Sequence, residues 1–192
     1  MKATRAALGF RVKSGWATAV IVGGSSSAPR LCMSEVINLA DPQAPETQQP
    51  YHAGFGTLET DEAKLKRRIQ GVGRATEKSI VDLVQRRVKN GYAIARAALV
   101  VGSVIEPKSI ANPHVRAHAL EGQLFRTTLE AALQTRGIRC AIFRERDIYA
   151  LAAKSLRRSP AQIKRALADL GRGEKHWRAE QKSAGLAAWL LL

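Results

Sequence analysis

Residues 9–16, Gly9-Phe10-Arg11-Val12-Lys13-Ser14-Gly15-Trp16, read as a strand, a tight turn and the start of a second strand. The flanking runs, residues 7–13 and 16–22, are rich in Val, Ile, Phe and Trp, and Ser14-Gly15 joins them. Arg11 and Lys13 put two cations on the first strand. Cations there repel a divalent metal ion and attract phosphate.

Outward from this hairpin, Gly23-Gly24-Ser25-Ser26-Ser27 is a turn, and residues 30–39 read as a third strand. Leu31, Met33, Ile37 and Leu39 share one face of it, and Glu35 interrupts that face. A charge on an apolar face needs a partner, and Arg11 on the neighbouring hairpin is the candidate. Residues 40–60 hold Pro42, Pro45 and Pro50 and form a loop too long for a simple connection, which implies function or disorder. The spacing of Leu65, Ile69, Val72, Thr76, Ile80, Leu83 and Val88 predicts a helix over 61–90, stopped by Asn90-Gly91. Residues 97–105 read as a buried strand, 114–135 as a helix and 138–143 as a strand. Helices follow over 147–157, 160–171 and 174–191.

This order predicts an α/β fold with a mixed five-stranded sheet, its first three strands antiparallel, and helices on both faces. The first and fourth strands should be central neighbours, with ligands binding beyond their carboxyl ends. One domain over 1–192 is expected, with 40–60 as a loop within it.

The chain has 31 Lys and Arg against 16 Asp and Glu, a formal net charge of +15, which favours polyanions as partners. Residues 1–60 are nearly neutral, with 5 basic and 4 acidic side chains. Residues 64–89 hold 9 and 2, and residues 136–182 hold 13 and 5, which suggests a shared face or groove. Aromatic residues make up only 5%, so phosphate and shape recognition fit better than base stacking. Cys32 and Cys140 lie in apolar strands and read as reduced buried thiols, which fits a cytoplasmic protein. Arg11 and Lys13 break the first apolar run, which argues against a signal peptide, and Ala184–Leu192 is too short to span a bilayer. That last run reads as a helix packed on the core, with docking on a second copy as another use for it. No Walker loop or GxGxxG motif points to a nucleotide cofactor.

The element order resembles the ribonuclease H-like superfamily, and within it the RuvC-type Holliday-junction resolvases. GFRVKSGWATAVIV (9–22) is similar to their first hairpin, and LKRRIQGVGRATEKSIVDLVQ (65–85) to their first helix. HVRAHALEGQLFRTTLEAAL (114–133) is similar to the helix after the fourth strand, and AEQKSAGLAAW (179–189) to the final helix. The resemblance implies carboxylates on the first strand, the fourth strand and the last helix, holding two Mg²⁺ ions about 4 Å apart. Here the first position falls on Arg11. The second falls near Gly102, with Glu106 further on, and the third falls around Glu180, Lys182 and Ser183. A fold persists without its chemistry.

The leading expectation is therefore a nucleic-acid-binding RuvC-like domain without ordinary two-metal nuclease activity, with DNA favoured over RNA. Its contacts would be Arg11, Lys13, Lys64, Arg67, Arg68, Arg116, Arg157, Arg158, Lys164 and Arg165. One alternative is a Mg²⁺-dependent nuclease using Glu106, Glu121 and Glu180, with His114 or His118. Those two histidines and Glu121 share a helix face at metal-ligand spacing, with His52 a further partner, although a polar helix start explains the pattern as well. Another alternative is a non-catalytic interaction subunit that forms a homodimer.

Overall fold

In a computed structural model, which describes residues 4–54 and 56–192, the hairpin forms as expected. Strand β1 (Thr4–Lys13) pairs antiparallel with β2 (Trp16–Gly24), with Lys13 opposite Trp16. Gly15 turns the chain at φ +82°, in the left-handed region that glycine enters without cost. Its carbonyl accepts from the amides of Leu39 and Ala40, which fixes the end of β3 (Pro29–Asn38) beside the turn. β2 and β3 are antiparallel.

The segment 40–60 is ordered by its own contacts. It makes a short 3₁₀ turn (Pro45–Thr47) and a small hairpin of β4 (His52–Gly54) and β5 (Thr57–Leu58). Buried Thr47 accepts from the Asp41 amide at 2.9 Å and donates to the Ala44 carbonyl at 2.6 Å. Helix α1 (Glu62–Lys89) starts where Asp61 accepts from the Lys64 amide at 2.9 Å. Val72, Thr76, Ile80 and Leu83 are its buried stripe, while the side chain of Val88 lies outside the described residues.

β6 spans Tyr92–Val101 and runs parallel to β1, with Arg11 opposite Val100. The strand was expected over 97–105 and instead ends at Val101. Gly102-Ser103 leaves the sheet, and Val104 and Ile105 stand exposed in the loop beyond. Asn112 accepts from the Val115 amide and Pro113 opens helix α2 (Pro113–Gln134), which places His114 in its first turn. β7 (Arg139–Arg144) runs parallel to β6 and completes the sheet order β3-β2-β1-β6-β7. This is the mixed five-stranded sheet the element order predicts.

Helices α3 (Ile148–Leu156), α4 (Pro160–Leu170) and α5 (Ala179–Trp189) follow. The last helix was expected from residue 174. Residues 174–178 are instead a turn, in which Trp177 donates from Nε1 to the Leu167 carbonyl at 2.7 Å and its ring lies over Gly171. Phe10, Ile21, Leu83, Leu99 and Phe125 bring α1 and α2 to one sheet face. Val100, Ile148, Ile163, Leu167 and Trp189 bring α3, α4 and α5 to the other. α5 lies against Gly9, where an added Cβ would stand 2.0 Å from the Ala184 carbonyl oxygen. The apolar C-terminal run is thus spent on the sheet, with Ser183–Trp189 buried. Among the described residues no helix is long and apolar enough to cross a membrane.

The register also corrects the partner of Glu35. Arg11 lies opposite Thr18, and Thr18 opposite Val36, so Arg11 and Glu35 project from opposite sheet faces. Glu35 meets Arg86 at 2.8 Å and Arg87 at 3.9 Å, on the α1 side.

Candidate functional site

Two clefts adjoin at the carboxyl ends of β1 and β6. The first, about 220 Å³, is lined by Arg11, Lys13, Gly102, His118, Gln123 and Arg126 among others, and among the described residues no carboxylate lines it. The second, about 690 Å³, lies over the 40–60 segment and is lined by Gln48, His52, His114 and His118 among others. Ser14 of the hairpin turn and His118 line both.

Arg11 is only 4% exposed. Its Nε donates to Glu145 Oε1 at 3.0 Å, its Nη2 to Glu145 Oε2, and its Nη1 to the Val12 carbonyl at 2.8 Å. Glu145 follows β7, where its amide bonds the Val101 carbonyl. The guanidinium therefore forms a bidentate pair, and its charge is largely met inside the protein. Arg126 has a buried Nε with no hydrogen-bond partner. Lys13 is half-buried at the end of β1. These two carry the unmet positive charge of the first cleft, and a buried unpaired guanidinium N–H is a donor awaiting an acceptor.

The other cations divide by role. Arg68 donates to the carbonyls of Pro50 and His52, each at 3.0 Å, and meets Glu59 at 3.3 Å, so it straps the β4 hairpin to α1. Arg116 Nε holds the Ile110 carbonyl at 2.7 Å. Arg158 donates to the Ser27 carbonyl at 3.1 Å and stacks on Trp189 at 5.1 Å. Lys64, Arg67, Arg157, Lys164 and Arg165 are exposed. Most of the two basic blocks lies on opposite faces, because α1 covers one side of the sheet and α3 and α4 cover the other, although Arg136 of the second block meets Glu77 of α1 at 2.7 Å.

The histidines converge. His52, His114 and His118 each offer a ring nitrogen within 4.8 Å of the others. His52 Nδ1 lies 2.7 Å from Oε1 of Glu121, which is fully buried on α2. His118 Nδ1 lies 3.5 Å from Glu121 Oε2, which has no hydrogen-bond partner among the described residues. His114 sits between them, its Nδ1 3.4 Å from His52 Nε2 and its Nε2 3.3 Å from His118 Nε2. Burial, and then the negative charge of Glu121, raise the Tyr51 hydroxyl above its usual pKa. The His114–His118 spacing was visible in the sequence. What brings His52 to it, the Arg68 strap, has no local signal, and neither has the role of Arg126 or Glu145.

The remaining candidate acids stay apart. Glu106 is exposed before the 3₁₀ turn Pro107–Ser109, Glu180 is in the first turn of α5, and Glu121 is committed to the histidines. Among the described residues no three carboxylates gather. A Cβ on Gly102 would meet nothing within 4 Å, so there is room for an acid that the sequence does not supply. With a paired arginine at the first position, these residues do not fit a two-Mg²⁺ carboxylate cage.

The structure is similar to that of RuvC from Thermus thermophilus, with 13% identity and a TM-score of 0.57 over 96% of this chain and 92% of that one. It is equally similar to T. thermophilus RuvC in complex with Holliday junction substrate, with 13% identity and a TM-score of 0.58 over 97% and 91%. The yeast mitochondrial Holliday junction resolvase Ydc2 aligns over 99% of this chain and 77% of its own, with 10% identity and a TM-score of 0.45. No family model and no curated protein matches the sequence. The fold is ribonuclease H-like, as in RuvC.

Proposed function

We propose that the protein binds nucleic acid, branched or duplex DNA in preference to RNA, at the cleft beyond β1 and β6, without ordinary two-metal cleavage. The lining of that cleft carries the reading: Lys13 and Arg126 are present beside the internally paired Arg11, and among the described residues no carboxylate is. Phosphate oxygens satisfy the Arg126 donor and the Lys13 ammonium, whereas a hard divalent cation such as Mg²⁺ finds no carboxylate among the described lining residues. The RuvC fold supports the reading, since one solved RuvC structure holds a Holliday junction substrate.

Exposed cations on both sides of the sheet suit a ligand that passes around the domain's edge better than one lying along a single face. Lys64 and Arg67 would contact phosphate on one side, and Arg157, Lys164 and Arg165 on the other. The net charge of +15 adds long-range attraction.

Anisotropy titrations of a four-way junction, a DNA duplex and an RNA duplex at stepped salt concentrations test this. The expected result is binding of both DNAs at low salt, falling steeply as salt rises, with RNA bound more weakly. Absence of DNA binding at low salt overturns the reading. Mg²⁺-dependent cleavage of the bound junction overturns its second half.

A further inference from the structure

We propose that His52, His114 and His118 form a site for one transition-metal ion of the Zn²⁺ class, with Glu121 as the buried carboxylate that orients His52. The site adjoins the nucleic-acid cleft at His118 and stands independently of the nucleic-acid reading.

An ionised carboxylate only accepts, so His52 Nδ1, 2.7 Å from Glu121 Oε1, carries the hydrogen. His118 Nδ1 lies 3.5 Å from the other oxygen of the same carboxylate and makes no hydrogen bond to it. In its neutral form the His52 ring then presents the Nε2 lone pair on the side of His114, whose ring also faces His118 Nε2. Neutral imidazoles that gather three nitrogens in this way can offer one lone pair each to a shared cation.

The spacing matches that cation. A tetrahedral ion with Zn–N bonds of about 2.0–2.1 Å holds its nitrogens ~3.3 Å apart. The two closest nitrogen pairs here lie 3.4 and 3.3 Å apart. Because these pairs use different nitrogens of His114, a modest turn of that ring selects which one coordinates. Three imidazoles favour zinc and its neighbours over Mg²⁺, which prefers oxygen ligands.

The supports of the trio are those of a metal centre. A carboxylate behind a ligating imidazole fixes its tautomer and raises its basicity. Arg68 holds the His52 carbonyl, and the first two turns of α2 hold His114 and His118 on one helix face. His118 is 48% exposed and lines both clefts, so a fourth coordination position opens toward solvent or an incoming ligand.

The experiment uses the full chain, stripped with chelator and titrated with Co²⁺ as a spectroscopic probe, followed by competition with Zn²⁺ and with Mg²⁺. The expected result is the visible absorption of tetrahedral Co²⁺ saturating at one equivalent, displaced by Zn²⁺ and not by excess Mg²⁺. His114→Ala and His118→Ala should abolish it, Glu121→Gln should weaken binding by about 10–100-fold, and His176→Ala, remote and exposed, should leave it unchanged. Circular dichroism on each variant shows that it folds. If Glu121→Gln fails to fold, the half-exposed His118 still provides the test. Absence of the absorption in the wild-type protein, or equal affinity in His114→Ala, overturns the proposal.

Discussion

Arg11 on the first strand and Glu145, 134 residues later, close a bidentate ion pair across the carboxyl ends of three neighbouring strands. The arginine is buried and the glutamate is 47% exposed. Removing the glutamate charge therefore acts in two directions. Glu145→Gln leaves a buried guanidinium underpaired and should cost about 1–3 kcal/mol of stability, read by urea unfolding. It also releases positive charge toward the cleft, so DNA affinity should rise. Weaker binding in this variant would show that the pair positions the DNA site and does not quench it.

Lys13 and Arg126 should dominate DNA affinity. Lys13→Ala and Arg126→Ala should each lower the slope of log affinity against log salt by about 1 and weaken binding at every sequence tested. Arg68→Ala removes a strap and not a phosphate contact. It should disturb the β4 hairpin, visible in NMR spectra, with little change in that slope.

Gly9 is required by the close approach of α5. In Gly9→Ala the new methyl group meets the Ala184 carbonyl at 2.0 Å and the Ala188 amide nitrogen at 2.8 Å. Helix backbone cannot step aside as a side-chain tip can. The expected loss is about 3 kcal/mol or more, at or beyond the upper end of ordinary overpacking. A thermal melt unchanged within a degree or two would show that α5 docks elsewhere.

Cys140 should be a slow thiol. Burial, and then the nearby charge of Glu130, push its pKa up to about 11. Raising a thiol pKa favours the neutral form, so at pH 8 only about one molecule in a thousand carries the reactive thiolate. Alkylation of Cys140 should accelerate with each pH unit up to about 11. A plateau near pH 9 would refute the burial effect.

Glu59 and Asp61 give the start of α1 its acid sensitivity. The Asp61 amide, above all, holds the Glu59 carboxyl below its ordinary pKa, and the Lys64 amide does the same for Asp61. A lowered folded-state pKa stabilises above the unfolded value, and that contribution disappears as pH falls through the folded one. The α1 start and the adjoining Arg68 strap should therefore loosen below about pH 4, before global unfolding. Hydrogen exchange at the amides of residues 61–64 reads this.

The hairpin, the long α1 stripe and the strand order were legible in the sequence, because Ser14-Gly15 and the apolar spacing of Val72, Ile80 and Leu83 are local signals. The site was only half legible. His114 and His118 declare themselves by spacing, whereas His52 is held by Arg68, which reaches back from α1 to its carbonyl. Glu35 looked like the partner of Arg11 because both interrupt apolar strands. Strand register sends them to opposite faces, and only the register shows it. The two basic blocks likewise look like one surface in sequence, until the sheet is found lying between most of their residues.

The docking of residues 179–189 on residues 4–13 also sets the timing of folding. During synthesis the first strand waits, one face bare, until residues 179–189 have emerged, since its covering helix is made long after it. Long-range closure of this kind favours a late, all-at-once completion of the core over stepwise growth. A nascent chain halted before residue 179 would keep Gly9, Val20 and Val22 open to water and be a natural client for chaperones.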